Sequence, residues 1–172
     1  MTKAVILIIF PVLLIYAAIG DIRNLRIPNW LNGLIFAAFF PVALILGMPL
    51  EMIPWHLLSF AVALALGIAL FSFGFIGGGD GKMLAAAGVW FGWGDPLLTF
   101  IMLTALAGGV QSVLHLIWKA MSTEIGVWGR EGALKTKLLS RKMELPYGLA
   151  IAAGALLTMP NQVTWWSSII AG

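Results

Sequence analysis

Three long, predominantly apolar runs, Ala4 to Gly20, Trp30 to Leu46 and Trp55 to Ile76, constrain this chain more than any other feature of it. Each is bounded by Pro, Gly or charge, and each is long enough to cross a bilayer as a helix, which takes about 20 residues for roughly 30 Å of hydrocarbon. A fourth apolar region, Met83 to Trp118, is interrupted by Gly92-Trp93-Gly94-Asp95-Pro96, a turn signal that divides it into a short first helix and a long second one. A last run opens at Pro146-Tyr147-Gly148 and continues to about Met159, after which Asn161, Gln162 and the Trp165-Trp166 pair return the chain to an interface. The expected architecture is an all-α, polytopic membrane helical bundle of about six transmembrane helices.

Composition excludes the soluble classes. Hydrophobic residues make up 61% and charged residues 10% of the 172, against about a quarter charged in a soluble domain, and the mean hydropathy is +1.01. At about 20 residues per span, six spans leave no room for a sizeable soluble domain, so residues 1–172 are expected to form a single membrane-embedded domain. The lipid bilayer is the first partner, and nothing points to nucleic acid. Cysteine is absent, which removes disulfides, thiol nucleophiles and Cys-ligated zinc, and leaves the compartment unmarked by redox chemistry. Met1 to Gly20 also has features of a secretory signal, but Asp21-Ile22-Arg23 is a poor cleavage context, and losing this helix would leave an odd number of spans.

Two carboxylates stand where long apolar segments meet short polar ones. Asp21 opens Asp21-Ile22-Arg23-Asn24-Leu25-Arg26-Ile27-Pro28-Asn29, and Asp80 closes Gly77-Gly78-Gly79-Asp80. An even number of crossings separates them, so both face the same side. In a six-span arrangement nine of the ten basic residues (Arg23, Arg26, Lys82, Lys119, Arg130, Lys135, Lys137, Arg141 and Lys142) share that side, leaving Lys3 on the other. The positive-inside rule makes the shared side cytoplasmic. Taken singly, Asp21 reads equally well as an ion-pair partner of Arg23 or Arg26, and Asp80 of Lys82, because membrane carboxylates commonly pair. Taken together and on one side, they are the arrangement that aspartic proteolysis requires: neighbouring carboxyls share one proton, one takes a proton from water and the other donates to the peptide carbonyl. Gly77 to Gly79 are expected to leave helical geometry, so that an extended substrate approaches the backbone beside Asp80.

The Asp-x-Arg-x-x-Arg-Ile-Pro-Asn segment after a first span, the Gly-x-Gly-Asp-x-Lys segment after a third, and Pro146-Tyr147-Gly148-Leu149-Ala150 opening a final one together resemble the type IV prepilin peptidase family. More specifically they resemble its short, peptidase-only branch serving tight-adherence (Flp) pili. The resemblance spans Asp21 to about Gly154. It implies a membrane aspartic endopeptidase of the bacterial inner membrane that removes the positively charged leader of prepilins or pseudopilins at the cytoplasmic face, with Asp21 and Asp80 as the catalytic pair. Gly77, Gly79, Lys82, Arg23 and Arg26 are candidate supporting or substrate-binding residues, although positive-inside anchoring alone accounts for the three basic ones. The family's larger members carry a Cys-rich cytoplasmic insert and methylate the new N-terminus. This chain has neither cysteine nor insert, so no methyltransferase activity, cofactor or metal is expected.

Other features have structural explanations. His115 shares a helical face with Gln111, Ser112, Thr104 and Gly108 and reads as a helix–helix hydrogen-bonding stripe, as do small-residue pairs such as Gly88 with Gly92 and Gly108 with Ser112. His56 has no neighbouring ligand cluster. Trp30, Trp55, Trp90, Trp93, Trp118 and Trp165 fit an interfacial belt. Residues 119–145 read as a basic amphipathic segment on the anionic inner leaflet, with Leu134, Leu138 and Leu145 near one face. A Gly-x-Gly-Asp protease for another membrane substrate, such as a preflagellin, a proton- or cation-coupled transporter using the same aspartates, and a non-catalytic pilus or secretion subunit are the competing readings; no internal repeat supports the transporter. From the missing insert we expect purified protein to cleave a prepilin with no added metal or methyl donor, and the product's mass to show loss of the leader alone. A methyl group added by this chain, or a rate abolished by chelator, would overturn the expectation.

Overall fold

The structure is a computed structural model that describes residues 8–125 and 146–162. Among the described residues it contains six α-helices and one short 3-10 turn: α1 (Ile9–Asn24), α2 (Asn29–Ile45), the turn Leu50–Met52, α3 (Ile53–Ser72), α4 (Gly78–Gly88), α5 (Asp95–Ile125) and α6 (Tyr147–Gln162). This is the expected all-α bundle, and its apolar helices make it a membrane protein. Residues 50–72 and 95–118 are long and apolar enough to cross a bilayer by themselves, with only 22% of each apolar window buried; Asn29–Ile45 and Tyr147–Pro160 are apolar but shorter. Of the basic segment at 119–145, residues 119–125 continue α5 without a break, and 126–145 lie outside the described residues, as does Trp165.

Polarity does not divide surface from interior: the core holds large side chains such as Phe10, Phe39, Trp90 and Phe100 together with many small ones. Large apolar side chains such as Ile68, Met102, Leu106 and Leu114 project outward, while Ala17, Ala18, Ala43, Ala63 and Ala85 to Ala87 are buried. Lipid tails are as apolar as leucine, so helices in a bilayer gain by bringing small residues together and packing backbones closely. One close approach joins α3 to α4. A methyl group on Gly67 would stand 2.7 Å from the Gly81 carbonyl oxygen, and one on Gly88 would stand 2.9 Å from the Ala63 Cβ. The α5–α6 crossing obeys the same rule, with Gly108 against the Tyr147 ring and Gly154 against the Thr104 backbone.

Helix α4 is the hub. It packs on α2, α3 and α6, while α1 packs on α2 and α6, and α5 packs on α6. Nearly all of α4 is buried, and its 11 residues at about 1.5 Å each reach only about half the hydrocarbon thickness. Beyond Gly88 the chain forms a buried plug rather than more helix. Trp90 stacks on Phe10 of α1 at 4.3 Å between centroids and donates its indole N–H to the Ile35 carbonyl of α2 at 3.0 Å. His56 of α3 bonds the Val89 carbonyl through Nδ1 at 2.6 Å. Trp90 is therefore a core residue, 1% exposed, and not part of an interfacial belt; Trp30, Trp55, Trp93 and Trp118 are exposed as a belt requires. Gly92 turns the chain at φ +71 against the His56 ring, so Gly88 and Gly92 do not share a helix face, and the expected small-residue pair is absent because α4 ends between them.

Because α1 begins at this plug and α4 ends there, the two helices run in opposite directions, and the end of α1 meets the start of α4 at the other end of the bundle. We expect Gly67→Ala to destabilise the detergent-solubilised protein by about 1–3 kcal/mol through overpacking. The same change at Gly33, exposed on α2 with no atom within 4 Å of the added methyl, should be neutral or mildly stabilising. Equal melting temperatures for the two variants would show that α3 and α4 are not in close contact at Gly67.

Candidate active site

Three helix ends converge on the two aspartates. Asp21 lies in the last turn of α1, which runs on to Asn24 instead of stopping at the polar boundary. Leu25 closes the helix in the left-handed region at φ 51, its N–H bonding back to the Asp21 carbonyl at 2.7 Å. For a residue with a Cβ this conformation is costly, and its effect is to reverse the chain at once. Pro28 then provides the extended residue before α2, a position that tolerates its missing N–H.

Between these two residues Ile27 is driven inward, 6% exposed. Its carbonyl and Cβ lie against Gly79 of α4, and its Cδ1 lies against Gly148 of α6. A methyl group on Gly148 would sit 2.9 Å from that Cδ1 and 2.8 Å from Asp21 Oδ2. The Ile-Pro-Asn segment is thus a wedge that sets the spacing of the three helix ends, and glycine at 148 is what allows them to close.

The carboxyl groups are nearly removed from solvent, Asp21 at 3% and Asp80 at 6% exposure. Asp21 Oδ2 accepts the Gly148 backbone N–H at 2.8 Å, and Asp80 Oδ2 accepts the Gly77 N–H at 3.0 Å. The Gly148 N–H also faces the Asp80 carboxyl, and Asp80 lies within the electrostatic reach of Asp21. The donors are the N-cap residue of α4 and a first-turn residue of α6, helix N-termini whose free N–H groups and positive dipole ends favour negative charge.

This geometry corrects one expectation. Gly78 and Gly79 are the first two residues of α4 and are helical; only Gly77 is extended, at ψ 155. The glycines do not unwind the backbone beside Asp80. Their lack of side chains allows Phe71 to cover Gly78, Ile27 to press on Gly79, and the Asp80 carboxyl to fold back over Gly77.

The remaining candidates separate. Gly77 and Gly79 are part of the site through the contacts above. Lys82 is exposed and gives its Nζ to Asn29 Oδ1 at 2.9 Å rather than to Asp80. Arg23 and Arg26 are exposed, and the hydrogen-bond partner of Asp21 among the described residues is the Gly148 N–H, not either arginine. Gln111 donates to the Pro146 carbonyl at 3.0 Å and so joins α5 to the segment entering α6, whereas Ser112 donates to the Gly108 carbonyl of its own helix at 2.7 Å, so of these two only Gln111 hydrogen-bonds between elements. His115 borders an apolar recess with Leu114, Ile117, Trp118, Met121 and Pro146. Sequence reasoning overlooked Asn32, 5% exposed, whose Nδ2 donates to the Gly79 carbonyl at 3.1 Å. An amide three residues after Asn29, within an otherwise apolar run, was the signal that marked it.

We expect Gly148→Ala to cost about 1–3 kcal/mol by overpacking and Ile27→Val alone about 0.5–1.5 kcal/mol. The double variant should cost less than their sum, because valine vacates the volume that the new methyl invades. Strict additivity in thermal melts would show that Ile27 is not the wedge. In comparisons with known proteins, the family model described as Type IV leader peptidase family matches residues 8–113, more than half of the chain and inclusive of both aspartates. No curated protein and no solved structure matches.

Proposed function

This chain belongs to the Type IV leader peptidase family, and from that premise we propose that it is an aspartic endopeptidase in which Asp21 and Asp80 cleave the leader from prepilins. Membership implies the aspartic-type peptidase activity and the prepilin substrate class. The observation that supports the residue assignment is the pair of buried carboxyls meeting at one end of the bundle, with the Gly148 N–H bonded to Asp21 Oδ2 and the Gly77 N–H to Asp80 Oδ2. A coupled transporter would place such carboxylates near the midplane, between broken helices; here they stand at the end of α1 and the start of α4.

The chemistry comes from the pairing. Two carboxyls in a site nearly closed to water share one proton, because ionising both would set like charges side by side. The ionised member accepts a proton from a water molecule as its oxygen attacks the scissile carbonyl carbon, and the protonated member gives its proton to the carbonyl oxygen. Collapse of the tetrahedral intermediate breaks the C–N bond and passes a proton to the departing amine. Titration belongs to the pair, and neither member is assigned alone as base. Backbone N–H groups hold one oxygen of each carboxyl in place and leave the other for water, so the groups are oriented before substrate arrives.

The finer assignment is also ours: the peptidase-only branch serving tight-adherence pili, in the bacterial inner membrane with the site at the cytoplasmic face, without N-methylation. It rests on the motif spacing, the absence of cysteine and the one-sided distribution of basic residues. We expect Asp21→Asn and Asp80→Asn each to reduce prepilin cleavage by at least about 10²–10⁴-fold, since an amide keeps the shape but cannot carry the proton. Membrane insertion and melting temperature should stay near wild type. Substantial cleavage by either purified variant would refute the pair.

A further inference from the structure

On either side of Asp80, α4 is strapped to α2. Gly79, one residue before it, accepts the Asn32 Nδ2–H through its carbonyl at 3.1 Å. Lys82, two residues after it, donates to Asn29 Oδ1 at 2.9 Å. Asn29 and Asn32 are three apart in the first turn of α2, as Gly79 and Lys82 are in the first turns of α4, so each pair lies on one helical face and the two faces meet.

The Asn32 amide can be oriented in only one way here. A carbonyl only accepts, so Nδ2 must face Gly79, and Oδ1 is left buried with no hydrogen-bond partner. Burying an unsatisfied acceptor costs stability, and an apolar side chain of the same shape would avoid that cost. The amide therefore has a role other than stabilising the fold. No other group among the described residues bonds the Gly79 carbonyl from another helix, and Gly79 directly precedes the proposed catalytic carboxyl.

We propose that Asn32, with Asn29 and Lys82, is a positioning device that fixes the first turn of α4 so that the Asp80 carboxyl stays against Asp21. Lys82 acts here as a strap to α2 and not as a contact for substrate. The device also links the two motifs mechanically: the chain that leaves Asp21 through Leu25 and Ile27 enters α2 at Asn29, so the turn bearing one carboxyl holds the turn bearing the other. The assignment rests on the leader-peptidase reading above.

The test separates position from stability and from binding. Asn32→Leu and Lys82→Met should each lower kcat for prepilin cleavage by about tenfold or more, on the scale of the roughly 10²-fold that a 1 Å misplacement costs, with KM within about twofold and a melting temperature at or above wild type for Asn32→Leu. Lys82→Arg, which keeps a donor for Asn29, should restore most of the rate. A second readout needs no catalysis. The chain has no cysteine, so Trp30→Cys and Phe75→Cys, both at exposed positions, take nitroxide labels that report the spacing of the α2 start from the loop entering α4. That distance distribution should broaden in Asn32→Leu. A rise in KM with unchanged kcat in Lys82→Met would make the lysine a substrate contact and overturn the proposal, as would an unchanged distance distribution with unchanged kcat in Asn32→Leu. Failure of the wild-type protein to cleave any prepilin would instead refute the peptidase reading, while the label distances still judged the strap.

Discussion

The bond from the Gly148 N–H to Asp21 Oδ2 is the contact on which the rest of the arrangement depends, because it joins elements 127 residues apart and can form only where three helix ends meet. It requires that α1 end in a left-handed turn, that Ile27 fill the space behind it, and that residue 148 have no side chain. A charge-assisted hydrogen bond in a site shielded from water is stronger than the same bond in solution, so a single N–H is enough to set the carboxyl's orientation. Among the described residues, the cost of burying Asp21 and Asp80 is offset by backbone donors at two helix N-termini and not by arginine or lysine. Such donors orient the carboxyls without adding a full positive charge, which suits the proposed chemistry on a shared proton.

The bilayer shapes the protein in a different way from water. With no hydrophobic gain from separating apolar side chains from lipid, packing depends on how closely backbones approach, and glycine permits close approaches at Gly67 on Gly81, Gly88 on Ala63, Gly108 on Tyr147 and Gly154 on Thr104. Helix α4 illustrates the consequence. It is too short to cross the hydrocarbon layer, and it is buried on nearly every side by α2, α3 and α6 instead of facing lipid. The helix starts at the exposed Gly78, and burial sets in at Asp80, within its first turn. The end of the helix is fixed from the opposite side by the Trp90 and His56 hydrogen bonds, so α4 is anchored at both ends and has little freedom to slide.

The sequence by itself determined the solvent, the helical class, the approximate spans and the two aspartates. Apolar run length and the placement of Pro and Gly are local quantities, so the break at Gly92 to Pro96 was legible, and so was the opening of the last helix near Pro146. The two motifs announced themselves because charge beside an apolar run is expensive. Only the tertiary structure decided which atoms those residues meet. That Lys82 bonds Asn29 and not Asp80, that Trp90 is core and not belt, that the glycines before Asp80 are helical, and that Asn32 holds Gly79 all depend on how α2, α4 and α6 approach one another. Hydropathy is blind to that approach, because in a bilayer the buried face and the lipid face of a helix are equally apolar, and what distinguishes them is the partner each one touches.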